Sequence, residues 1–267
     1  MDVRARNNVQ ILGPPTGPTL LLSHGFGCDQ TLFRRITGPL AQRYRVVLFD
    51  HVGSGGADTR YWNPERYARL DAYAEDILDL VDGLDLTDVV YVGHSVGAMM
   101  GVLAVNRRPD AFSKLVLLAP SPCYLDDEGY RGGFSREEIE DLLESLDSNY
   151  LGWARAIAPT IMGAPEQPEL AEELTESFCR TDPACAKVFA RTTFLSDNRA
   201  DLATVGVPTL ILECADDAIA PAGVGAFVAD QIPGSVLRTV DTSGHCPHVS
   251  EPEATVEAIV AFVDGAS

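Results

Sequence analysis

Gly93-His94-Ser95-Val96-Gly97 carries the spacing G-x-S-x-G. An apolar, β-branched run precedes it (Asp88-Val89-Val90-Tyr91-Val92), and a helix-like run follows from Ala98 to Val105. In a strand–turn–helix setting this spacing makes a nucleophile elbow. Glycine lets the chain turn without a Cβ clash, and the serine hydroxyl is presented at the tip. The N–H groups of the following helix then face the place where negative charge develops on an attacked carbonyl. The chemistry expected is acyl transfer through Ser95.

A serine hydroxyl is a weak nucleophile until a base takes its proton. Among five histidines, His245 directly follows Gly244 in a loop between the last strand-like run and the last helix-like one. It is the expected base, and His248 is its competitor in the same loop. The acid that orients such a base belongs at a strand end between serine and histidine. Asp216 and Asp217 both qualify by position, and Glu213 lies further back on the strand. Two backbone N–H groups must hold the oxyanion. Val96, next to the serine, supplies one. Phe26, in the His24-Gly25-Phe26-Gly27 loop, supplies the other. His24 and His94 read as structural hydrogen-bonding residues. His51 sits in a glycine-rich loop that lacks the Lys-Ser/Thr of a phosphate cradle.

Short, nearly continuous apolar runs supply the scaffold at residues 19–23, 45–49, 89–92 and 114–119. They alternate with helical patterns at 30–42, 70–84 and 96–107, and 8–12 reads as an antiparallel edge strand. Such strands are buried on both faces, which predicts an α/β fold with a mostly parallel, doubly wound sheet. Strands resume only at 208–214 and 236–240. Between residues 122 and 197 the pattern is helix after helix, at 135–147, 150–162, 168–180 and 183–195. Ser135 with Glu138 fits a capping box, and Pro168 and Pro183 fit first helical turns. The expected organisation is a core of residues 1–121 and 197–267 with a helical lid over 122–196. A last helix over 253–263 closes the chain.

The formal charge of −19 over 267 residues argues against nucleic acid and against anionic membrane surfaces as partners. No apolar run approaches the length of a membrane span. The polar first ten residues lack a signal-like apolar stretch, and six cysteines show no paired or zinc-like spacing. The expectation is a cytoplasmic protein with reduced thiols, no metal and no cofactor.

With these elements placed, the chain resembles the α/β-hydrolase superfamily, and within it the RsbQ-like group related to the plant strigolactone and karrikin receptors. The residues that carry the resemblance include Gly25-Phe26-Gly27-Cys28-Asp29-Gln30, Phe49-Asp50-His51-Val52-Gly53-Ser54-Gly55 and Pro120-Ser121-Pro122-Cys123-Tyr124-Leu125. Others are Asn149-Tyr150-Leu151-Gly152-Trp153-Ala154, Cys179-Arg180-Thr181-Asp182-Pro183 and Gly244-His245-Cys246-Pro247-His248. The resemblance implies an α/β-hydrolase fold under a four-helix lid. The family's D-x-x-x-P ending, here Asp217 to Pro221, selects Asp217 as the acid beside Ser95 and His245. It further implies a hydrophobic pocket lined by Phe26, Phe134, Trp153, Ile157, Phe194, Ala218 and Ile219. Ile157 and Ala218 are smaller than the residues usual in the plant receptors, which implies a roomier pocket.

Two functions follow. One is a serine hydrolase of a small hydrophobic ester or lactone. The other is an RsbQ-like signalling protein that binds or hydrolyses a small ligand and activates a PAS-domain phosphatase in a stress response. A haloalkane dehalogenase would need aspartate at the elbow, which Ser95 excludes. Carbon–carbon bond hydrolysis uses the same three residues.

Overall fold

The computed structural model describes residues 2–265. A short helix α1 (Val3–Arg6) and strand β1 (Gln10–Leu12) lead into β2 (Thr19–Ser23), α2 (Arg34–Ala41) and β3 (Arg45–Leu48). Next come α3 (Leu70–Gly83), β4 (Val89–His94), α4 (Val96–Arg107) and β5 (Phe112–Leu118). Four helices intervene: α5 (Arg136–Ser148), α6 (Tyr150–Met162), α7 (Pro168–Cys179) and α8 (Pro183–Phe194). The chain then completes its sheet with β6 (Thr209–Asp216), α9 (Val224–Gln231) and β7 (Val236–Ser243), and ends in α10 (Pro247–Ser250) and α11 (Pro252–Val263).

The seven strands form one sheet in the order β1-β3-β2-β4-β5-β6-β7. Only β1 runs antiparallel, against β3. Side chains alternate across a strand, so each apolar run feeds two cores. Leu21, Val47, Tyr91, Leu115 and Ile211 pack with α3 and α4 on one face. Leu20, Leu22, Val46, Val90, Val92 and Val116 pack with α2 and α11 on the other. Chain order reverses between the neighbouring strands β2 and β4. Their following segments therefore depart to opposite faces and leave a crevice at the strands' carboxyl ends. Ser23 is in register with Gly93 there, which sets the His24–Gly27 loop beside the Ser95 turn.

Helices α5 to α8 supply most of a third apolar cluster, with Ile139, Leu143, Leu146, Trp153, Leu170, Leu174 and Phe178, which Cys28, Leu32, Ile219 and Val249 join from outside them. Ser135 and Glu138 close the expected capping box on α5. The segment expected as one helix over 30–42 is instead a 3₁₀ turn, Gln30–Phe33, joined to α2. Asp29 caps this turn by accepting from Thr31 N, and Gln30 N is drawn to the Asp50 carboxylate. Arg34 and Arg35 reach Glu173 of α7 at 2.5 and 3.1 Å, and Arg180 reaches Asp29 at 2.5 Å. These pairs pin α7 to the core. Among the described residues, no helix is long and apolar enough to cross a membrane.

Candidate active site

The turn from β4 into α4 holds Ser95 at φ 57°, ψ −127°, a conformation that strains a residue with a Cβ. Two close approaches fix it. A Cβ on Gly93 would stand 2.5 Å from the Gly97 carbonyl oxygen, and one on Gly97 would stand 2.6 Å from that of His24. Ser95 N–H donates to the Leu118 carbonyl at 2.9 Å, which ties the turn to β5. The hydroxyl is left at the mouth of α4.

His245 follows β7 through Gly244, whose φ of 90° turns the chain inward. The histidine's backbone is clamped from both sides. Its N–H donates to Ile161 O of α6, and its carbonyl accepts from His94 Nε2 at 2.8 Å. The ring lies between two partners. Asp217 Oδ2 is 2.7 Å from Nδ1, and Ser95 Oγ is 2.8 Å from Nε2. A carboxylate only accepts, so Nδ1 carries the proton and Nε2 is free to accept from the Ser95 hydroxyl. Asp217 Oδ1 accepts from the N–H groups of Ile219 and Ala220 at 2.8 and 3.0 Å. Burial alone would raise the Asp217 carboxyl. The charge and hydrogen bond of His245, with the two N–H donors, outweigh burial and hold it below the usual carboxylate range. Asp216 is exposed at the strand end, and Glu213 accepts from Thr239.

Val96 opens α4, so its N–H is among those with no acceptor inside the helix. The His24–Gly27 loop presses on the serine so closely that a Cβ on Gly25 would stand 2.9 Å from Ser95 Cβ. This sets Phe26, the next residue, over the site. Its ring meets Trp153, Phe178, Phe189 and Phe194 at centroid distances of 5.6–6.0 Å.

Ser95 and His245 open onto a cavity of about 40 Å³ between the sheet and helices α5 to α8. Of the residues expected to line it, Phe26, Trp153, Ile157, Phe194 and Ile219 do so, and Phe134 and Ala218 do not. Asp217 turns inward to bind His245 and two N–H groups, so the next residue, Ala218, faces out and is exposed. Its small side chain adds no room. Phe134 is held by backbone pairing with Tyr124 and Asp126, and it packs on the third apolar cluster rather than on the cavity.

Several lining residues escaped the sequence reading: Cys28, Tyr124, Leu142, Ile161, Leu174, Phe178, Thr193 and Cys246. Spacing in α7 puts Leu174 and Phe178 on one face, a signal that exists but points equally to core. Tyr124 OH lies 3.4 Å from Ser95 Oγ, and burial raises its phenol so that it stays a donor. Burial pushes the Cys28 thiol up to about 12 and that of Cys246 well above its ordinary value. Both therefore act as apolar wall and not as thiolate nucleophiles. Burial also keeps His248 neutral, lowered to about 3, and sets its ring against Phe33 and His94.

A model of the alpha/beta hydrolase family matches residues 20–258. The chain is 40% identical over 247 residues to a strigolactone esterase of Arabidopsis thaliana, covering 92% of this chain and 91% of that one. It is 35% identical over 246 residues to a karrikin insensitive receptor of Petunia hybrida, covering 92% and 90%. Among solved structures it superposes on a hydrolase from Oleispira antarctica with a TM-score of 0.96 and 39% identity, over 98% of this chain and 96% of that one.

Proposed function

The chain belongs to the alpha/beta hydrolase family and is a serine hydrolase, and from that premise we propose that it cleaves a small hydrophobic ester or lactone with Ser95, His245 and Asp217 as its catalytic residues. The observation that carries this reading is the unbroken chain from Asp217 Oδ2 through His245 to Ser95 Oγ, ending at an apolar cavity. Ser95 Oγ attacks the carbonyl carbon as its proton passes to His245 Nε2. The N–H groups of Phe26 and Val96 hold the oxyanion. Collapse breaks the carbonyl–alkoxy bond, and His245 returns the proton to the departing oxygen. Water, deprotonated by His245, then releases the acyl group from Ser95. With a lactone the alcohol stays attached to the acyl chain.

The cavity's walls support a compact substrate. The cavity is enclosed by apolar side chains between the sheet and the helices over it, which suits a small uncharged molecule. The test is hydrolysis of p-nitrophenyl acetate by the wild type and by Ser95→Ala. Turnover lost in the variant supports the reading, and equal turnover in both folded proteins overturns it.

A second reading draws on the likeness to a plant receptor. Here the protein signals as RsbQ-like proteins do, binding or hydrolysing a small ligand and activating a PAS-domain phosphatase. The exposed acidic face of α5, with Glu137, Glu140, Asp141 and Glu144, is the proposed contact. Binding of a purified PAS-domain phosphatase, measured with the wild type and with these four residues neutralised, tests it. No binding by the wild type overturns it.

A further inference from the structure

Thr193 is 1% exposed, lines the cavity, and its Oγ1 has no hydrogen-bond partner among the described residues. Its neighbour on α8 behaves differently. Thr192 Oγ1 donates to the Val188 carbonyl one turn back, at 2.9 Å. Thr193 leaves the equivalent option unused, and its backbone carbonyl accepts from Ser196 Oγ at 2.8 Å and from the N–H groups of Leu195 and Ser196. A buried hydroxyl without a partner is destabilising relative to one that is paired. Other polar groups on the wall are already occupied. Ser95 and His245 hold each other, Tyr124 OH faces Ser95, and His94 Nε2 holds the His245 carbonyl. His94 Nδ1 is also unpartnered, but it lies under Gly25, where a Cβ would stand 3.1 Å away.

We infer that Thr193 is a specificity-determining residue, and that the substrate is an ester or lactone bearing a second oxygen, a hydroxyl or ketone, which pairs with Thr193 Oγ1 away from the reacting carbonyl. This rests on the hydrolase reading above. A threonine hydroxyl both donates and accepts, so it serves either group. A site built to bond a polar group discriminates against the analogue that lacks it, because the site's own group is then left unpaired. A purely apolar cavity would prefer the methyl analogue.

Pairs of compounds that exchange hydroxyl for methyl test this at constant shape. Suitable pairs are methyl lactate with methyl isobutyrate, methyl β-hydroxybutyrate with methyl isovalerate, and β-hydroxy- with β-methyl-γ-butyrolactone. The readout is the kcat/KM ratio within each pair for the wild type, Thr193→Val and Thr193→Ser. In at least one pair the wild-type ratio should exceed that of Thr193→Val by about tenfold, and Thr193→Ser should keep the wild-type ratio. Thr193→Ala serves as the hydroxyl-free variant if Thr193→Val melts early. Ratios that are the same in all variants for every pair overturn the inference, since water then serves the hydroxyl or the preference is intrinsic to the esters. Ser95→Ala keeps the two failures apart. Turnover that survives in Ser95→Ala overturns the hydrolase reading, whereas Ser95-dependent turnover with unchanged ratios overturns only the role of Thr193.

Discussion

Among the described residues, two buried serine–histidine pairs stand out. Ser95 Oγ lies 2.8 Å from His245 Nε2, and Ser23 Oγ lies 3.0 Å from His51 Nε2. Distance does not separate them, but surroundings do. Asp217 takes the proton side of His245, which leaves Nε2 as an acceptor. His51 Nε2 also lies 3.2 Å from the His24 carbonyl, which only accepts, so that nitrogen carries the proton and donates. It cannot take a proton from Ser23. A carboxylate stands next to His51 in sequence, yet Asp50 spends its oxygens on the N–H groups of Gln30 and Gly56 and on Asn8 Nδ2. Ser23 ends a regular strand, whereas Ser95 is strained at the mouth of a helix beside a cavity. A reactive pair is thus made by the proton's position, the backbone and the empty space in front of it.

The largest expected effect separates the two serines. Ser95→Ala should lower kcat for p-nitrophenyl acetate by roughly 10⁴-fold or more, and Ser23→Ala by less than tenfold. Equal losses would erase the contrast. The second comparison exchanges the two carboxylates. Asp217→Asn removes the acceptor that fixes the His245 tautomer, and kcat should fall by roughly 10³- to 10⁴-fold. Asp50→Asn should leave kcat within a few-fold of the wild type. Its effect should appear in chemical denaturation as a loss of about 1–3 kcal/mol, because buried N–H groups lose a charged acceptor. If Asp50→Asn reduced kcat as Asp217→Asn does, the Ser23–His51 pair would have a part in turnover.

Much of the fold and of the Ser95 turn is legible in the sequence. The β-branched runs, the Gly-flanked turn at Ser95 and the Gly244-His245 step are local signals, because strands and tight turns restrict which residues can form them. The bounds of α6 over Tyr150–Met162 were legible for the same reason, set between an Asn cap and a Gly163 stop. Cavity walls depend instead on which way a side chain faces after long-range packing. Ala218 and Phe134 follow the inward turn of Asp217 and the pairing with Tyr124, and neither is encoded at their own positions. The Thr193 hydroxyl is the clearest case. Thr192 and Thr193 are indistinguishable in sequence, and only the packing of α8 satisfies one and leaves the other facing the cavity. The Ser23–His51 pair joins residues 28 apart in sequence and carries no motif.

The smallest expected effect tests whether His51 stays neutral. Burial, and then His24, hold its ring well below the ordinary histidine value, and Asp50 is turned away to its own N–H donors. The other groups facing it are the Ser23 hydroxyl and the aromatic rings of Phe49, Tyr73 and Phe189, none of which favours a cation. An unfolded histidine binds a proton below about pH 6.5, whereas folded His51 does not. The unfolded state therefore holds more protons as pH falls, and stability must fall with it. The contribution is fully present above pH 6.5 and is lost progressively toward the lower folded value. Near pH 5 one such group adds about 1.4 kcal/mol to the change in unfolding free energy per pH unit. Denaturation curves between pH 7 and 5 should show His51→Gln with a shallower pH dependence than the wild type, by about 1 kcal/mol per pH unit averaged over that range. An unchanged slope in His51→Gln would mean that His51 takes up a proton in the folded state, and the two histidines would then be less different than their hydrogen bonds make them.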